Sequence, residues 1–103
     1  MHQPVRLLIV DAGGQLPPGL PALLSSINMI TQLDAITDHT TILHLVGLRQ
    51  PNVILLGLSS DHSADLHLIN LLNTRAPGCK IILFGVDIPR QIILHALENG
   101  VQG

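Results

Sequence analysis

The chain has little aromatic and little charged side-chain content. Phe84 is its single aromatic residue, and Asp, Glu, Lys and Arg make up 12% of the 103 residues, about half the usual share. Hydrophobic residues reach 47%, almost all of them Leu, Ile, Val and Ala. A surface this poor in charge indicates that part of it is covered by a partner or by further sequence.

Several classes of protein are excluded by what is missing. Cys79 is the only cysteine, so there is no disulfide framework and no cysteine-based zinc site, as expected in a reducing cytoplasm. The net charge of −2, with five scattered Lys and Arg, gives no footprint for nucleic acid. There is no signal-peptide pattern, and no apolar run approaches the ~18 residues of a membrane span. We expect one cytoplasmic domain, residues 1–103, with no membrane or direct nucleic-acid contact.

Apolar patterning predicts alternating strands and helices. Three nearly continuous apolar runs are typical of strands buried in a parallel sheet, and a shorter β-compatible segment predicts an edge strand. In chain order, these segments are Val5–Val10, Leu33–Thr37, Val53–Leu58 and Lys80–Phe84. Helical spacing predicts helices at about 18–28, 39–49, 62–75 and 90–99. This alternation predicts a doubly wound α/β sheet.

The ends of the predicted helices carry recognisable signals. Asp38 and Asp61 precede the second and third helices as N-cap residues. Gly100 follows the last helix in the position of a C′ stop. The apolar side of that last helix consists of Ile92, Ile93, Leu94 and Leu97.

Four collinear segments of the chain resemble the receiver domain of bacterial response regulators, and most closely the receivers of LuxR/NarL-type regulators. The segments are Leu7–Asp11, Pro51–Leu58, Arg75–Phe84 and Ala96–Gly103. The resemblance implies a CheY-like, flavodoxin-like fold, whose family members have five strands. We therefore expect strand order 2-1-3-4 here. The fifth strand and helix would follow Gly103, so we expect a domain that is incomplete at its C-terminal end, naturally or by truncation.

The resemblance also assigns positions to the family's phosphorylation site. The phosphoacceptor aspartate corresponds to Gly57, the acidic pair to Asp11 and Ala12, and the switch Ser/Thr to Gly85. Glycine has no nucleophile, so an aspartyl phosphate cannot form at Gly57. With one carboxylate left of three, we expect no Mg²⁺ site. The sequence therefore predicts a degenerate pseudo-receiver with no cofactor, no metal and no catalytic residue.

The expected function is that of a phosphorylation-independent signalling module. It would control a DNA-binding output domain outside this chain through protein contacts. Without a fifth strand, the Lys80–Phe84 edge is exposed, which predicts a homodimer through that edge or the last helix. The alternative is a small-ligand-binding flavodoxin-like domain, with the ligand over Gly57, Gly85 and Asp11. An enzyme is the weakest hypothesis, because no acid, base and nucleophile can be assembled.

The histidines and serines have simpler interpretations. His62 and His67, like His39 and His44, are five residues apart and not at the i, i+4 spacing that places two ligands on one helical face. Helix-surface positions are the favoured interpretation, with zinc a minor alternative. No G-x-S-x-G motif surrounds Ser59 and Ser60, which are expected in turn and cap roles.

Overall fold

A computed structural model describes residues 4–11, 14, 16–38, 41–85 and 87–101. Strands and helices alternate along the chain, as the apolar pattern predicts. The strands are β1 (Val5–Asp11), β2 (Ile30–Ile36), β3 (Val53–Gly57) and β4 (Lys80–Phe84). The helices are α1 (Leu20–Ser25), α2 (Ile42–Arg49), α3 (His62–Arg75) and α4 (Arg90–Glu98).

The four strands form one parallel sheet in the order β2-β1-β3-β4, which confirms the predicted fold class and strand order. The register pairs Asp11 with Gly57, and Gly57 with Phe84. Because the strands are parallel, β1, β3 and β4 end side by side at one edge of the sheet. This carboxyl edge is where ligands collect in open α/β sheets.

One face of the sheet carries the main hydrophobic core. Residues opposite one another in a parallel ladder share a face, and those on this face are buried against α2, α3 and α4. The buried members are Leu8, Val10, Ile54, Leu56 and Ile81 from the sheet and Ile42, Val46, Leu68, Ile69, Leu72 and Ala96 from the helices. The continuous apolar runs seen in the sequence therefore supply this core.

The opposite face is covered unevenly. Leu7 and Ile9 are buried at 6% and 1% exposure, whereas Ile82 of β4 is 40% exposed. The short helix α1 contacts β2, at the far side of the sheet from β4. The β4 end of this face therefore presents apolar surface to solvent.

Helix α1 spans Leu20–Ser25 and is therefore shorter than the predicted range of about 18–28. The hydroxyl groups of Ser25 and Ser26 donate to the backbone oxygens of Ala22 and Leu23 at 2.8 and 2.6 Å. Side-chain bonds of this kind compete with the helical ladder. None of the α1 residues is fully buried, so little packing opposes that competition.

Two further boundaries differ from expectation. Strand β2 begins at Ile30, three residues before the predicted segment, because Ile30 and Gln32 pair with Val5 and Arg6 across a register irregularity that apolar patterning does not mark. Helix α2 begins at Ile42 with Thr41 as its N-cap, so the assignment of Asp38 was wrong. The Asp38 carboxylate instead accepts from the Thr41 backbone N–H at 3.2 Å. Residues 39 and 40 lie outside the described part of the chain.

The apolar side of α4 is largely exposed. Ala96 is the buried residue of this helix, while Ile93, Leu94 and Leu97 are 40%, 47% and 51% exposed. The predicted stop at Gly100 is confirmed by its φ of 95°, a conformation that favours glycine. No helix in the described ranges has the length and apolarity needed to cross a membrane.

Candidate functional site

The carboxyl edge of the sheet brings together the positions assigned from the sequence. Asp11 ends β1 and Gly57 ends β3 directly beside it, while Gly85 follows β4. The Oδ2 atom of Asp11 accepts the backbone N–H of Leu16 at 3.1 Å, which ties this carboxylate to the loop after β1. Ala12, which stands where the resemblance places the second acidic residue of the family, lies outside the described residues.

The backbone of β3 approaches β1 closely at Gly57. A Cβ atom on Gly57 would lie 2.9 Å from Oδ1 of Asp11 and 3.2 Å from the backbone oxygen of Val10. Both distances are shorter than ordinary van der Waals contact, so a side chain here would have to displace its neighbours. The space of a missing side chain at Gly57 is therefore occupied by the neighbouring strand.

An apolar side chain fills the corresponding space at Gly85. A Cβ atom on Gly85 would lie 2.9 Å from Cγ1 and 3.0 Å from Cδ1 of Ile88, with Cδ1 of Leu58 at 3.5 Å. Neither neighbour can donate a hydrogen bond to an anion. The position assigned to the switch hydroxyl is thus packed with hydrocarbon.

The most deeply buried polar group at this edge was not anticipated from the sequence. Asp65, in the first turn of α3, is 0% exposed. Its Oδ2 accepts the Ser59 backbone N–H, and its Oδ1 accepts the Ser59 hydroxyl, both at 2.9 Å. A carboxylate is favoured near a helix N-terminus, and two donors offset its loss of water.

The loop from β3 to α3 therefore has a structural role at the carboxyl edge. Asp61 caps α3 as predicted, because its Oδ1 accepts the backbone N–H of Ala64 at 3.1 Å. The Ser59 hydroxyl also accepts from the Asp61 backbone N–H at 3.1 Å. The turn and cap interpretation of Ser59 agrees with these contacts. The signal for Asp65 in the sequence was its place one turn after an N-cap, but its burial depends on the packed core.

The histidines lie at helix surfaces in the described part of the chain. His44, His67 and His95 are exposed, and His62 is half-buried. Among the described residues there is no group of three or more His, Cys, Asp and Glu side chains that could hold a metal ion.

Two cavities lie at the edges of the sheet, and among the described residues neither is lined by Gly57 or Gly85. A cavity of about 180 Å³ beside Asp11 is lined by the loop before α1, by α1 itself and by β2, including Leu16, Pro21 and Ile36. A larger cavity of about 520 Å³ lies at the opposite, amino edge of the sheet. The amino edge is therefore the roomier of the two ends.

Asn52 organises the backbone at the amino edge. Its Oδ1 accepts the backbone N–H of Arg6, and its Nδ2 donates to the backbone oxygen of Pro4, both at 2.8 Å. Its own backbone oxygen accepts the N–H of Lys80 at 3.0 Å. One asparagine thus links the starts of β1, β3 and β4.

The charged side chain of Arg6 and the thiol of Cys79 also line the larger cavity. The Nε of Arg6 donates to the backbone oxygen of Gln50 at 2.7 Å. Partial burial raises the pKa of the Cys79 thiol from 9.0 to about 11, because a thiolate loses solvation there. Cys79 is therefore a protonated, weakly reactive thiol at neutral pH.

Comparison with known proteins identifies the fold. No protein-family model and no curated protein sequence matches the chain. The receiver domain of RcsB from Salmonella enterica serovar Typhimurium, solved with the phosphomimetic BeF3−, superimposes with a TM-score of 0.82 at 17% identity. This match covers 98% of the present chain and 75% of that domain.

Two further structures extend this comparison. A LuxR-family two-component response regulator from Aurantimonas superimposes with a TM-score of 0.80 at 16% identity, covering 98% of this chain and 72% of that one. A pilus assembly-related protein from Burkholderia pseudomallei has a TM-score of 0.76 at 19% identity, with coverage of 95% and 74%. At these identities the similarity concerns the fold. The chain adopts the receiver-like, CheY-like α/β fold of response regulators.

Proposed function

We propose that the chain is a signalling module that works through protein contacts and without phosphorylation of its own. The observation that carries this proposal is Gly57. It occupies the end of β3 beside Asp11, and no side chain can be added there without displacing Asp11 Oδ1 or the Val10 oxygen. A site without a nucleophile cannot form an acyl phosphate.

The hydrocarbon around Gly85 supports the same proposal. Transfer and retention of a phosphoryl group depend on electrostatic contacts to its oxygens. Ile88 and Leu58 instead occupy the space beside Gly85. We accordingly propose no catalytic activity and no magnesium requirement at this edge.

Phosphorylation can be tested directly by intact mass. The chain would be incubated with acetyl phosphate and Mg²⁺, in parallel with a receiver domain that has an aspartate at the end of its third strand. We expect no adduct of about 80 Da, the mass of a phosphoryl group, on the present chain. A stable, acid-sensitive adduct of that mass would contradict the proposal.

The protein contact we propose is self-association through β4 and α4. Strand β4 is an edge strand, and edge strands readily pair with another chain. Ile93, Leu94 and Leu97 of α4, and Ile82 on the opposite face of β4, are each at least 40% exposed, so apolar surface lies on both faces beside this edge. A further apolar cavity of about 180 Å³ lies between the two elements, lined by Leu83, Ile88 and Leu97 among others. A second copy of this chain would remove that apolar surface from water.

Leu97→Glu tests this surface, because it places a charge on the exposed side of α4. We expect its dimer dissociation constant, measured by analytical ultracentrifugation, to rise about tenfold or more. Leu23→Glu is the matched control, since Leu23 is 65% exposed on α1 at the other side of the sheet. A wild-type chain that stays monomeric at high concentration, or equal effects of the two variants, would count against self-association.

The proposed output is the control of a DNA-binding domain. The LuxR-family regulator and the pilus assembly-related protein share the fold. We propose a DNA-binding output domain outside this chain, as in LuxR/NarL-type regulators, and a cytoplasmic location. Small-ligand binding over Gly57, Gly85 and Asp11 gains no support, because the space at both glycines is filled.

A further inference from the structure

The amino edge of the sheet contains a cavity of a size suited to a small molecule. Its volume is about 520 Å³, within the range of about 300–1,000 Å³ typical of ligand sites. It is bounded by the starts of β1 and β3, the ends of α2 and α3, and the turn before β4. Its lining includes Arg6, Arg75, Asn52, Cys79, Leu43 and Val46.

The charge of this cavity has one sign. Its lining contains the two arginines Arg6 and Arg75 and no carboxylate. In the described ranges, neither guanidinium has an acidic side chain within ion-pair distance, whereas Arg49 lies 3.7 Å from Asp34. The two arginines thus face a shared space without a counter-ion from the described part of the chain.

Two helix ends oppose this positive charge but do not cancel it. Helices α2 and α3 both end at the amino edge, and each helix C-terminus is equivalent to about half a negative charge. The two guanidinium groups bring two full positive charges. Contact between Arg6 Nε and the Gln50 oxygen satisfies one carbonyl at the end of α2. The formal charge of the cavity lining is therefore positive.

The fold concentrates basic residues at this edge. Arg6 and Lys80 begin strands, while Arg49 and Arg75 end the helices that return to the same edge. Arg90, the remaining basic residue of the chain, begins α4 at the other edge. Acidic residues follow the strands at the carboxyl edge, among them Asp61, Asp65 and Asp87, whereas Glu98 ends α4 at the amino edge. A protein of net charge −2 thus has one basic end.

We propose that this cavity binds a small organic anion, with a carboxylate or phosphate ester held by Arg6 and Arg75. Arginine suits both groups, because its planar fork can donate two parallel hydrogen bonds to either. Leu43 and Val46 supply an apolar wall for the body of the ligand, and Asn52 fixes the backbone from which Arg6 projects. This site is independent of the phosphorylation-free function proposed for the opposite edge.

The test uses two-dimensional amide NMR of the full chain. Inorganic phosphate and citrate serve as probes for the two anionic groups, each compared with sodium chloride at equal ionic strength. We expect saturable shifts at the amides of Asn52, Gly78 and Cys79, and none at Gly57 or Gly85. Saturation by phosphate alone assigns a phosphate ester, by citrate alone a carboxylate, and by both a shared anion site. Equal shifts with chloride, or shifts without saturation, overturn the proposal.

Charge-removing variants localise the binding. Arg6→Gln and Arg75→Gln should each raise the dissociation constant of the saturating probe about tenfold, since hydrogen bonds to charged groups are individually strong. Arg90→Gln is the matched control and should leave it unchanged. If Arg6→Gln perturbs the fold through its contact with Gln50, Arg75→Gln still decides, because the Arg75 side chain has no hydrogen bond within the described residues. An equal loss in Arg90→Gln would show general charge attraction and overturn the site.

Discussion

The two edges of this sheet use their polar residues in different ways. At the carboxyl edge, the Asp65 carboxylate is fully buried and bonded to Ser59, while Asp11 accepts from Leu16. At the amino edge, Arg6 and Arg75 line a cavity of about 520 Å³. The edge where an open α/β sheet normally binds its ligands is closely packed at both glycines and has a cavity of about 180 Å³ beside Asp11, whereas the other edge has the larger cavity.

At the carboxyl edge, the strand register and the side chains around the two glycines have to be considered separately. The register still places Asp11, Gly57 and Phe84 at one level, as a receiver-like sheet requires. Gly57 and Gly85 are nevertheless enclosed by Asp11 and Ile88. The strand register and the side chains at this edge are therefore determined separately.

The largest expected effect comes from removing the side chain that makes two hydrogen bonds at each edge, Asp65 at the carboxyl edge and Asn52 at the amino edge. Asp65→Ala should lower the free energy of unfolding by about 3 kcal/mol, because it removes the buried carboxylate that accepts the Ser59 backbone N–H and hydroxyl, and only the hydroxyl has a second acceptor, the Asp61 backbone oxygen at 3.2 Å. Asn52→Ala also removes two side-chain hydrogen bonds, but Asn52 is half-buried and water can replace them, so about 1 kcal/mol is expected. Urea unfolding measures both losses.

Asp65→Asn is the control for this pair, since its amide keeps one acceptor and should fall between the wild type and Asp65→Ala. Equal losses in Asp65→Ala and Asn52→Ala would mean that the two edges are equally accessible to water.

The second prediction adds one methyl group at each edge. Gly57→Ala should destabilise the fold by about 2 kcal/mol, because its Cβ would meet Asp11 and the Val10 backbone in a packed site. Gly47→Ala should instead stabilise it by about 0.5–1 kcal/mol, because Gly47 lies in α2 with no atom within 4 Å of an added Cβ. Thermal unfolding of the two variants under identical conditions gives the comparison. A stabilising Gly57→Ala would show that the carboxyl edge is open.

The smallest expected effect concerns Cys79 at the open edge. Burial raises its pKa from 9.0 to about 11, so the folded chain holds this proton more tightly than the unfolded chain. Its contribution to stability is complete below pH 9.0 and declines between pH 9.0 and about 11. The rate of iodoacetamide alkylation should still be rising at pH 10 in the folded chain, as expected for a pKa of about 11. In the chain unfolded by urea it should level off near pH 9.0. The same plateau in both states would refute the burial of this thiol.

Much of the fold could be predicted because its signals are local. The apolar runs at Val53–Leu58 and Lys80–Phe84 mark β3 and β4, and Asp61 marks the start of α3. The predicted ends of helices and strands were wrong where local sequence signals compete or are weak. Thr31 and Gln32 hide the start of β2, and serine hydroxyl groups end α1 early.

The sequence predicted where Gly57 and Gly85 lie in the sheet, but not how closely their neighbours pack around them. Gly57 and Gly85 could be aligned with positions of the family's site, because Gly57 ends β3 and Gly85 follows β4. Whether the vacated space is open or filled depends on Ile88 and Asp11, whose side-chain directions follow from packing. The burial of Asp65 likewise requires the assembled core around it.

By itself, the sequence determined the alternation of strands and helices and the absence of a nucleophile at Gly57, since periodicity and side-chain chemistry are properties of the chain alone. Only the tertiary structure decided which edge of the sheet has the larger cavity. Arg6, Arg49, Arg75 and Lys80 are scattered in the sequence. Parallel strands that start at one edge, and helices that return to it, gather them there. The basic cavity is thus a consequence of connectivity, which no local pattern encodes.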